Sequence, residues 1–277
     1  MIVVEAPAYV PYEPHSEELH ELRAELQGRL KELTVGADEI LWAAFSGQLP
    51  KGADVENALF YNLDGKGAFA RCMDNGVCFE LDPSPTDGVR YSYSVGPKED
   101  GLRHWRAGRQ LAHVAAEDTQ PKLAPIWWAL RSVPGAIRPA GEVRLAHEPF
   151  CLMLDVEGPT KRLTAVLVKG IVDGVVCGLQ SQTDHAGAAS AAPRIAETLG
   201  APASGIEEAL TAHGPSALGV RESLVRAWGA RVQWAPDDDL CVAARLLFRP
   251  SPRWSITGTA SVVAPLALGA MAPTMGL

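Results

Sequence analysis

The sequence predicts an α/β protein, with a mixed α+β sheet flanked by helices. Segments with alternating or continuous apolar residues are interspersed with segments of helical periodicity along the chain. The chain has 277 residues, of which 47% are hydrophobic and 21% charged, which is enough to bury a core of one large or two small domains. We expect an N-terminal α+β region over residues 1–145 and an α/β region over residues 146–277, with a helical insertion at 186–230. The two regions could equally form one continuous domain.

Charge and cysteine content narrow the class of protein. The formal net charge is -8, so any nucleic-acid-binding surface would have to be local. The five cysteines form no Cys-x-x-Cys motif, which favours buried thiols in the reducing cytoplasm. The excess of arginine over lysine is typical of a GC-rich bacterial genome. We find no basic leader and no apolar run near the roughly 20 residues that span a bilayer, so we expect no membrane partner.

In the N-terminal region, residues 16–34 predict an amphipathic helix that Ser16 caps, with two glutamates in its first turn. Residues 58–63, 68–73 and 77–81 predict three strands, joined by turns at 65–67 and 74–76, and residues 90–95 predict a fourth. Residues 121–132 predict a helix. The sequence contains no visible internal repeat.

In the C-terminal region, residues 150–158 predict a core strand that ends in acidic residues, and residues 160–181 predict a helix of about five turns. Residues 231–234, 240–248 and 253–263 predict the remaining strands. The apolar segment from residue 264 to the C-terminus predicts a tail that packs on a partner or on a neighbouring surface.

Polar residues gather around the long C-terminal helix. Lys169 and Asp173 are four residues apart and share a face of that helix. Asp155 and Glu157 lie at the end of the strand before it, and the segment WAPDDDLC (234–241) places Asp237, Asp238 and Asp239 before a later strand. Three adjacent aspartates form either a polar turn between two strands or part of a cation site, because a cation would offset their repulsion.

This pattern resembles the RusA-type Holliday-junction resolvases. In that family an Asp-x-Asp-Asn segment opens a helix that carries a lysine and then an aspartate, and a Trp-x-Asp-Asp turn leads into a strand. The segments 166–174 (VLVKGIVDG) and 234–242 (WAPDDDLCV) resemble the last two parts. Leu163 and Ala165 stand where the Asp-x-Asp should be, and about sixty residues separate the two matching segments.

The resemblance implies a Mg²⁺-dependent nuclease, a cytoplasmic homodimer that acts on branched DNA. It implies catalytic roles for Lys169 and Asp173 and metal-binding roles for Asp173, Asp238 and Asp239. Asp155 and Glu157 would replace the missing carboxylates. The alternative is a non-catalytic interaction or scaffold protein with the same fold, which has lost its metal site and binds a protein partner. The acidic net charge favours that alternative.

Other segments leave further interpretations open. The run HWRAGRQLAH (104–113), together with Trp127 and Trp128, predicts either a basic, aromatic surface for phosphates or a solvated arginine face over core tryptophans. Cys177 or His185 could serve a small-molecule enzyme. The segment DVENALFYN (54–62) resembles one found in a group of actinobacterial proteins, and this resemblance implies no function.

Overall fold

The centre of the molecule is a nine-stranded mixed sheet, seen in a computed structural model that describes residues 1–84 and 86–266. Helices flank this sheet, and the predicted α/β class is confirmed. The sequence predicts an apolar tail from residue 264 onward. The part of this tail after Leu266 lies outside the described residues. The strands in chain order are β1 (Ile2–Ala6), β2 (Glu39–Ser46), β3 (Gly76–Asp82), β4 (Val89–Pro97), β5 (Trp105–Glu117), β6 (Ile137–Pro139), β7 (Phe150–Gly158), β8 (Gln180–Gln182), β9 (Gly219–Arg221), β10 (Val225–Trp228), β11 (Arg231–Trp234), β12 (Cys241–Pro250) and β13 (Ser255–Pro265).

The longer helices lie close to where the sequence places them. Ser16 caps α1 by accepting a hydrogen bond from the Leu19 amide, and Thr164 caps α4 in the same way with Leu167. Both caps satisfy amides that a helix start leaves without an internal partner. The helices in chain order are α1 (Glu17–Leu30), α2 (Val55–Leu59), α3 (Leu123–Ser132), α4 (Ala165–Gly178), α5 (His185–Leu199) and α6 (Ala203–Thr211).

The order of the strands repeats, although the sequence does not. The sheet runs β1-β4-β2-β3-β12-β7-β13-β5-β6. The first half of the fold, β1-α1-β2-α2-β3-β4, therefore corresponds to the second half, β5-α3-β7-α4-β12-β13. Each half has one parallel pair of strands, which is β2 with β3 in the first and β7 with β12 in the second. The halves meet where β3 and β12 pair antiparallel. The fold is thus pseudo-symmetric about this central pair, and β5 and α3 belong to the second half.

One face of the sheet carries the main core and the helices α1 to α4. Leu152, Leu154 and Val156 of β7 point into it, together with Phe79 of β3 and Ile171 of α4. Alternate residues of the same strands point to the opposite face, because side chains in a strand alternate. Cys151 and Met153 lie there in a smaller apolar cluster.

The segment 98–104 crosses that opposite face and is held by a buried carboxylate. Glu80 is only 2% exposed, and its oxygens accept hydrogen bonds from the amides of Arg103 at 2.9 Å and His104 at 2.9 Å. These bonds satisfy a group that would otherwise be costly to bury. Leu102 covers apolar residues on both sides of it.

Two predicted strands in the N-terminal region are wrong. Residues 58–63 lie in α2 and in a 3-10 turn (Tyr61–Leu63), and residues 68–73 form turns. The apolar pattern of these segments fits a strand, but Asp54 caps a helix there and Gly65 and Gly67 adopt positive φ angles. The predicted strands at 77–81 and 90–95 correspond to β3 and β4.

Glycines let α3 and α4 approach closely. A Cβ atom on Gly174 would lie 2.8 Å from Cβ of Ile126, and one on Gly178 would lie 2.6 Å from Cδ1 of Leu130. Larger side chains at these positions would therefore push the helices apart. On the far side of α3, the helices α5 and α6 and strand β10 form a separate small core around Trp127.

All five cysteines are free and buried. Burial raises the pKa of Cys151 to about 11 and that of Cys72 to about 12. It also raises the pKa of the thiols of Cys78, Cys177 and Cys241 well above the ordinary value.

Candidate functional site

The ammonium of Lys169 lies among carboxylates from both halves of the fold. Its Nζ is 3.2 Å from Oδ2 of Asp173, which lies one turn further along α4. From the first half, Oε2 of Glu56 lies at 3.5 Å and Oδ2 of Asp54 at 3.8 Å. The Lys169 side chain is only 24% exposed, so these are interactions in a largely dehydrated setting. We call Lys169, Asp173, Asp54, Glu56 and Asp238 the acidic cluster.

The segment DVEN positions the two carboxylates from the first half. Asp54 precedes α2, and its Oδ1 accepts a hydrogen bond from the Asn57 amide at 2.6 Å, while its Oδ2 accepts one from the Asn57 side chain at 2.6 Å. Glu56 follows in the first turn and is 2% exposed. Oε2 of Glu56 has the Lys169 ammonium at 3.5 Å, and neither of its oxygens meets hydrogen-bond geometry. A buried carboxylate with one long ion pair is costly, so its burial favours a proton on Glu56 or a closer cation.

The three aspartates of WAPDDDLC have three different surroundings. Asp237 forms ion pairs with Arg221 and, at 3.6 Å, with Arg144, and its Oδ2 accepts a hydrogen bond from Gln180 at 3.1 Å. Asp238 opens a 3-10 turn (Asp238–Leu240) and is close enough to Lys169 for each charge to act on the other. Asp239 is exposed, and its charge acts on Arg144. The three aspartates therefore form a turn in which Asp237 pairs with arginines. Asp238 is the residue of this turn that belongs to the acidic cluster.

Burial and mutual repulsion favour protonated carboxyl groups in the acidic cluster. Burial, with help from the charges of Asp54 and Asp173, raises the pKa of Asp238 to about 7. Burial raises the pKa of Asp173 to about 6 and that of Glu56 well above its ordinary value. Burial alone would lower the pKa of Lys169, but the carboxylates of Glu56, Asp173 and Asp54 outweigh it and raise that pKa. Lys169 therefore stays charged, while the carboxyl groups compete for it.

The predicted ligands Asp155 and Glu157 do not lie at the acidic cluster. The period-two alternation of β7 turns them to the opposite face of the sheet from α4. There Asp155 is exposed, and Glu157 pairs with Arg249 at 3.1 Å. The prediction that these residues replace the missing Asp-x-Asp carboxylates is wrong. Asp54 and Glu56 lie in front of Lys169 instead.

The carboxylates of the acidic cluster turn towards the ammonium of Lys169. Among the residues that the structure describes, no three His, Cys, Asp or Glu side chains stand in an arrangement that could hold a metal ion. Four carboxyl groups nevertheless surround the one ammonium of Lys169, so the cluster would carry more negative charge than Lys169 balances once these groups ionise. Its chemistry fits a hard divalent cation, although its present side-chain arrangement does not.

Tyrosines that the sequence analysis passed over border the acidic cluster. The Tyr61 ring lies with its centroid 5.7 Å from Nζ of Lys169, and the Tyr12 ring stacks on it at 5.2 Å. The Tyr9 hydroxyl accepts a hydrogen bond from Asn62 at 2.5 Å. By contrast, Trp105 and Trp127 of the predicted basic, aromatic surface are buried, which excludes them from stacking on a ligand at the surface. The segment 54–62 contains Tyr61 and Asn62 but not Tyr9 or Tyr12, which no signal in the sequence indicated.

A comparison with protein-family models finds no match for this chain, and neither does a comparison with curated protein sequences. Over the described residues, the helices are all too short or too polar to cross a bilayer. The interpretation of the site therefore depends on its own geometry.

Proposed function

We propose that the acidic cluster is a divalent-cation site and that the protein is a diverged RusA-like nuclease, which hydrolyses phosphodiester bonds of branched DNA. The observation that carries the proposal is the convergence of Asp54, Glu56 and Asp173 within 3.8 Å of the Lys169 ammonium, with Asp238 near enough for its charge to act on it. Cytoplasmic location and a homodimer remain predictions from the resemblance.

The cluster is composite, which departs from the family pattern although the types of residue are similar. The family pattern places Asp-x-Asp-Asn, the lysine and the second aspartate on one helix. Here Asp54 caps α2, Glu56 and Asn57 lie in its first turn, and Lys169 with Asp173 lies on α4, which packs against α2. The same set of functional groups is thus divided between two halves of one chain.

The acidic cluster has the groups that phosphodiester hydrolysis requires. Asp54, Glu56, Asp173 and Asp238 would hold Mg²⁺, which supplies an activated water and offsets phosphate charge when bound. The ammonium of Lys169 is placed to stabilise negative charge on a phosphate oxygen. Lys169 and the carboxylates would have to separate to admit the cation.

A non-catalytic interaction protein is the alternative. The observation that favours it is the position of Lys169, since an ammonium can serve permanently as the counter-ion of the acidic cluster. The two interpretations differ in one measurable property. A structural lysine leaves no demand for a second cation, whereas a nuclease site must take up Mg²⁺ or Mn²⁺.

The first test is calorimetric titration of the wild-type protein with Mg²⁺ and Mn²⁺ at pH 8. We expect binding at micromolar to low-millimolar concentration, because several carboxylates can contribute ligands. Asp238→Asn and Glu56→Gln should each weaken it about tenfold or more, by the loss of one charged ligand. Asp155→Asn is the matched control, since Asp155 is an exposed aspartate on the other face of the sheet.

Metal uptake by the wild type that survives Asp155→Asn but not Asp238→Asn would justify cleavage assays on four-way DNA junctions. In those assays Lys169→Met should remove activity without abolishing metal binding. A wild-type protein that takes up neither cation would contradict the proposed function and leave the interaction protein as the better interpretation.

A further inference from the structure

A buried glutamine links the end of α4 to residues 237–239, which we call the aspartate turn. Gln180 follows directly after Leu179, the residue that caps α4, and is fully buried. Its Nε2 donates to Oδ2 of Asp237 at 3.1 Å, and its Oε1 accepts a hydrogen bond from the Asp237 amide at 3.2 Å. Because one side chain bonds both the carboxylate and the backbone of Asp237, it fixes the orientation of the aspartate turn relative to α4.

Two arginines hold Asp237 from two other segments of the chain. Arg221 on β9 forms an ion pair with its Oδ1, and Nη2 of Arg144, from the loop before β7, lies 3.6 Å from its Oδ2. Arg144 is itself fixed, since its side chain is 1% exposed and donates to backbone carbonyls within residues 145–148 and to that of Leu218. The charge of Asp237 is therefore compensated within the fold, and this carboxylate anchors the turn.

Asp238 is the member of the acidic cluster that comes from a turn rather than from α4 or the start of α2. It follows Asp237 directly and begins the 3-10 turn, where the charge of Lys169 acts on it. A side chain on a turn keeps a fixed position only if the turn is held from outside, because turns are more mobile than helices. Gln180 supplies such a support from the end of α4, the helix that carries Lys169 and Asp173.

We propose that Gln180 and Asp237 are positioning residues, which hold Asp238 within the acidic cluster so that it serves as a metal ligand. This inference rests on the proposed function, because it assigns a support to one ligand of the proposed site. Residues that hold a metal ligand from outside contribute roughly ten- to a hundredfold to metal affinity. The adjacent aspartates thus have different roles, since Asp237 anchors the turn and Asp238 faces the cation.

A second buried glutamine on the same strand provides a matched control. Gln182 is also fully buried on β8, and its Oε1 accepts hydrogen bonds from the amides of Leu224 at 2.9 Å and Val225 at 2.8 Å. Its Nε2 donates to the Asp184 carbonyl at 2.8 Å. These bonds hold the inserted segment, whereas those of Gln180 hold the aspartate turn. Methionine at either position removes buried hydrogen bonds from the same strand but releases a different part of the fold.

The test is calorimetric titration with Mn²⁺ of the full chain, of Gln180→Met, of Asp238→Asn and of the double variant. Methionine has a length similar to that of glutamine but cannot replace the two bonds to Asp237, so we expect Gln180→Met to weaken Mn²⁺ binding about tenfold. In the Asp238→Asn background the same change should cause no further loss, because the ligand that Gln180 positions is already impaired. Gln182→Met should bind Mn²⁺ like the wild type.

Urea unfolding of the same proteins at pH 8 without metal gives a readout that does not depend on metal binding. Asp238→Asn should raise the free energy of unfolding of the wild type, because it removes a carboxylate that burial among other carboxylates disfavours. In the Gln180→Met background this gain should fall by half or more, since the released turn exposes Asp238 to water. In the Gln182→Met background the gain should remain, although that variant also lowers stability.

Equal Mn²⁺ affinity in the wild type and Gln180→Met would overturn the positioning role and retain the metal site. Equal losses in Gln180→Met and Gln182→Met, or additive losses in Gln180→Met and Asp238→Asn, would also overturn it, because they indicate a general structural effect. A wild type that takes up no metal would instead contradict the proposed function. In that case an effect of Asp238→Asn on stability that depends on Gln180 would still support the positioning of Asp238, and an independent effect would remove both proposals.

Discussion

Lys169 lies where sequence reasoning placed it, but its partners differ from the expected ones. The i,i+4 spacing correctly brings Asp173 to 3.2 Å from its ammonium. Asp54 and Glu56 are 115 and 113 residues earlier in the chain, so no local pattern connects them with Lys169. Their sequence signal was modest, since an aspartate before a helix and a glutamate in its first turn are common capping residues. What distinguishes Glu56 is that it is buried at the Lys169 ammonium, which only the structure reveals.

The raised pKa values of Asp173 and Asp238 predict a stability that falls as the pH rises. In the unfolded chain both groups lose their protons near pH 4, whereas in the folded protein they keep them to about pH 6 and about pH 7. The folded state therefore binds more protons between these limits, and its stability decreases with pH over that window. Urea unfolding at pH 4.5, 6 and 7.5 measures the effect.

Asp238→Asn should weaken that dependence, most of all above pH 6, because asparagine does not titrate whereas Asp173 still does below that pH. Asp155→Asn should leave it unchanged, since Asp155 is exposed on the other face of the sheet. Saturating Mg²⁺ should also reverse the slope, because the cation replaces the protons. A wild-type stability that increases from pH 4.5 to pH 7.5 without metal would show that these carboxyl groups are ionised in the fold.

At the scale of elements, the spacing of α3 and α4 depends on glycine. Gly174→Ala introduces a methyl group 2.8 Å from Cβ of Ile126 and 3.1 Å from the Leu123 carbonyl. Because both neighbours belong to the packed helix α3, we expect a net loss of about 1–3 kcal/mol in the free energy of unfolding. Denaturant unfolding of the variant measures it.

Gly28→Ala is the internal comparison for that substitution. Gly28 lies within α1, and a Cβ atom there would meet nothing within 4 Å. The same chemical change should therefore stabilise the protein by about 0.5–1 kcal/mol, through helix propensity. Equal effects at positions 28 and 174 would show that close packing against α3 does not determine the role of Gly174.

The helices with clear caps and periodic apolar residues were predictable, and the short ones were not. Ser16 and the leucine stripe mark α1, and the apolar run after Thr164 marks α4. Helix α2 has five residues, which is too few for a periodic pattern to separate a helix from a strand. The residues after it are apolar because they face the core in turns, so their composition also resembles that of a strand.

At the scale of the whole molecule, the repeated topology could not be read from the sequence. Corresponding elements share their place in the sheet but not their residues, as Asp54 and Thr164 show at the starts of α2 and α4. An inserted segment with α5 and α6 also separates α4 from β12. The acidic cluster lies where the helices of the two halves meet, so each half alone carries only part of it.

The continuous sheet and core predict that both halves unfold in one transition. The main core contains residues from each half, and β3 and β12 join them in the centre. Separate probes are available, because all five tyrosines lie at or before residue 93 and six of the seven tryptophans at or after residue 105. We expect tyrosine and tryptophan fluorescence to give the same urea midpoint. Two midpoints would show that the halves are independent units.

The five buried thiols can report when the molecule unfolds, because they become accessible only then. Their sulfur atoms are covered and, because their pKa values are raised, hold little thiolate at neutral pH. Cys78 lies on β3 of the central pair and Cys151 on β7 beside it, and both point to the face opposite the main helices. An alkylating reagent would therefore mark a molecule only after its sheet had come apart. In a sample that has been stored with the reagent, the positions of the modified cysteines would show which half of the sheet unfolded first.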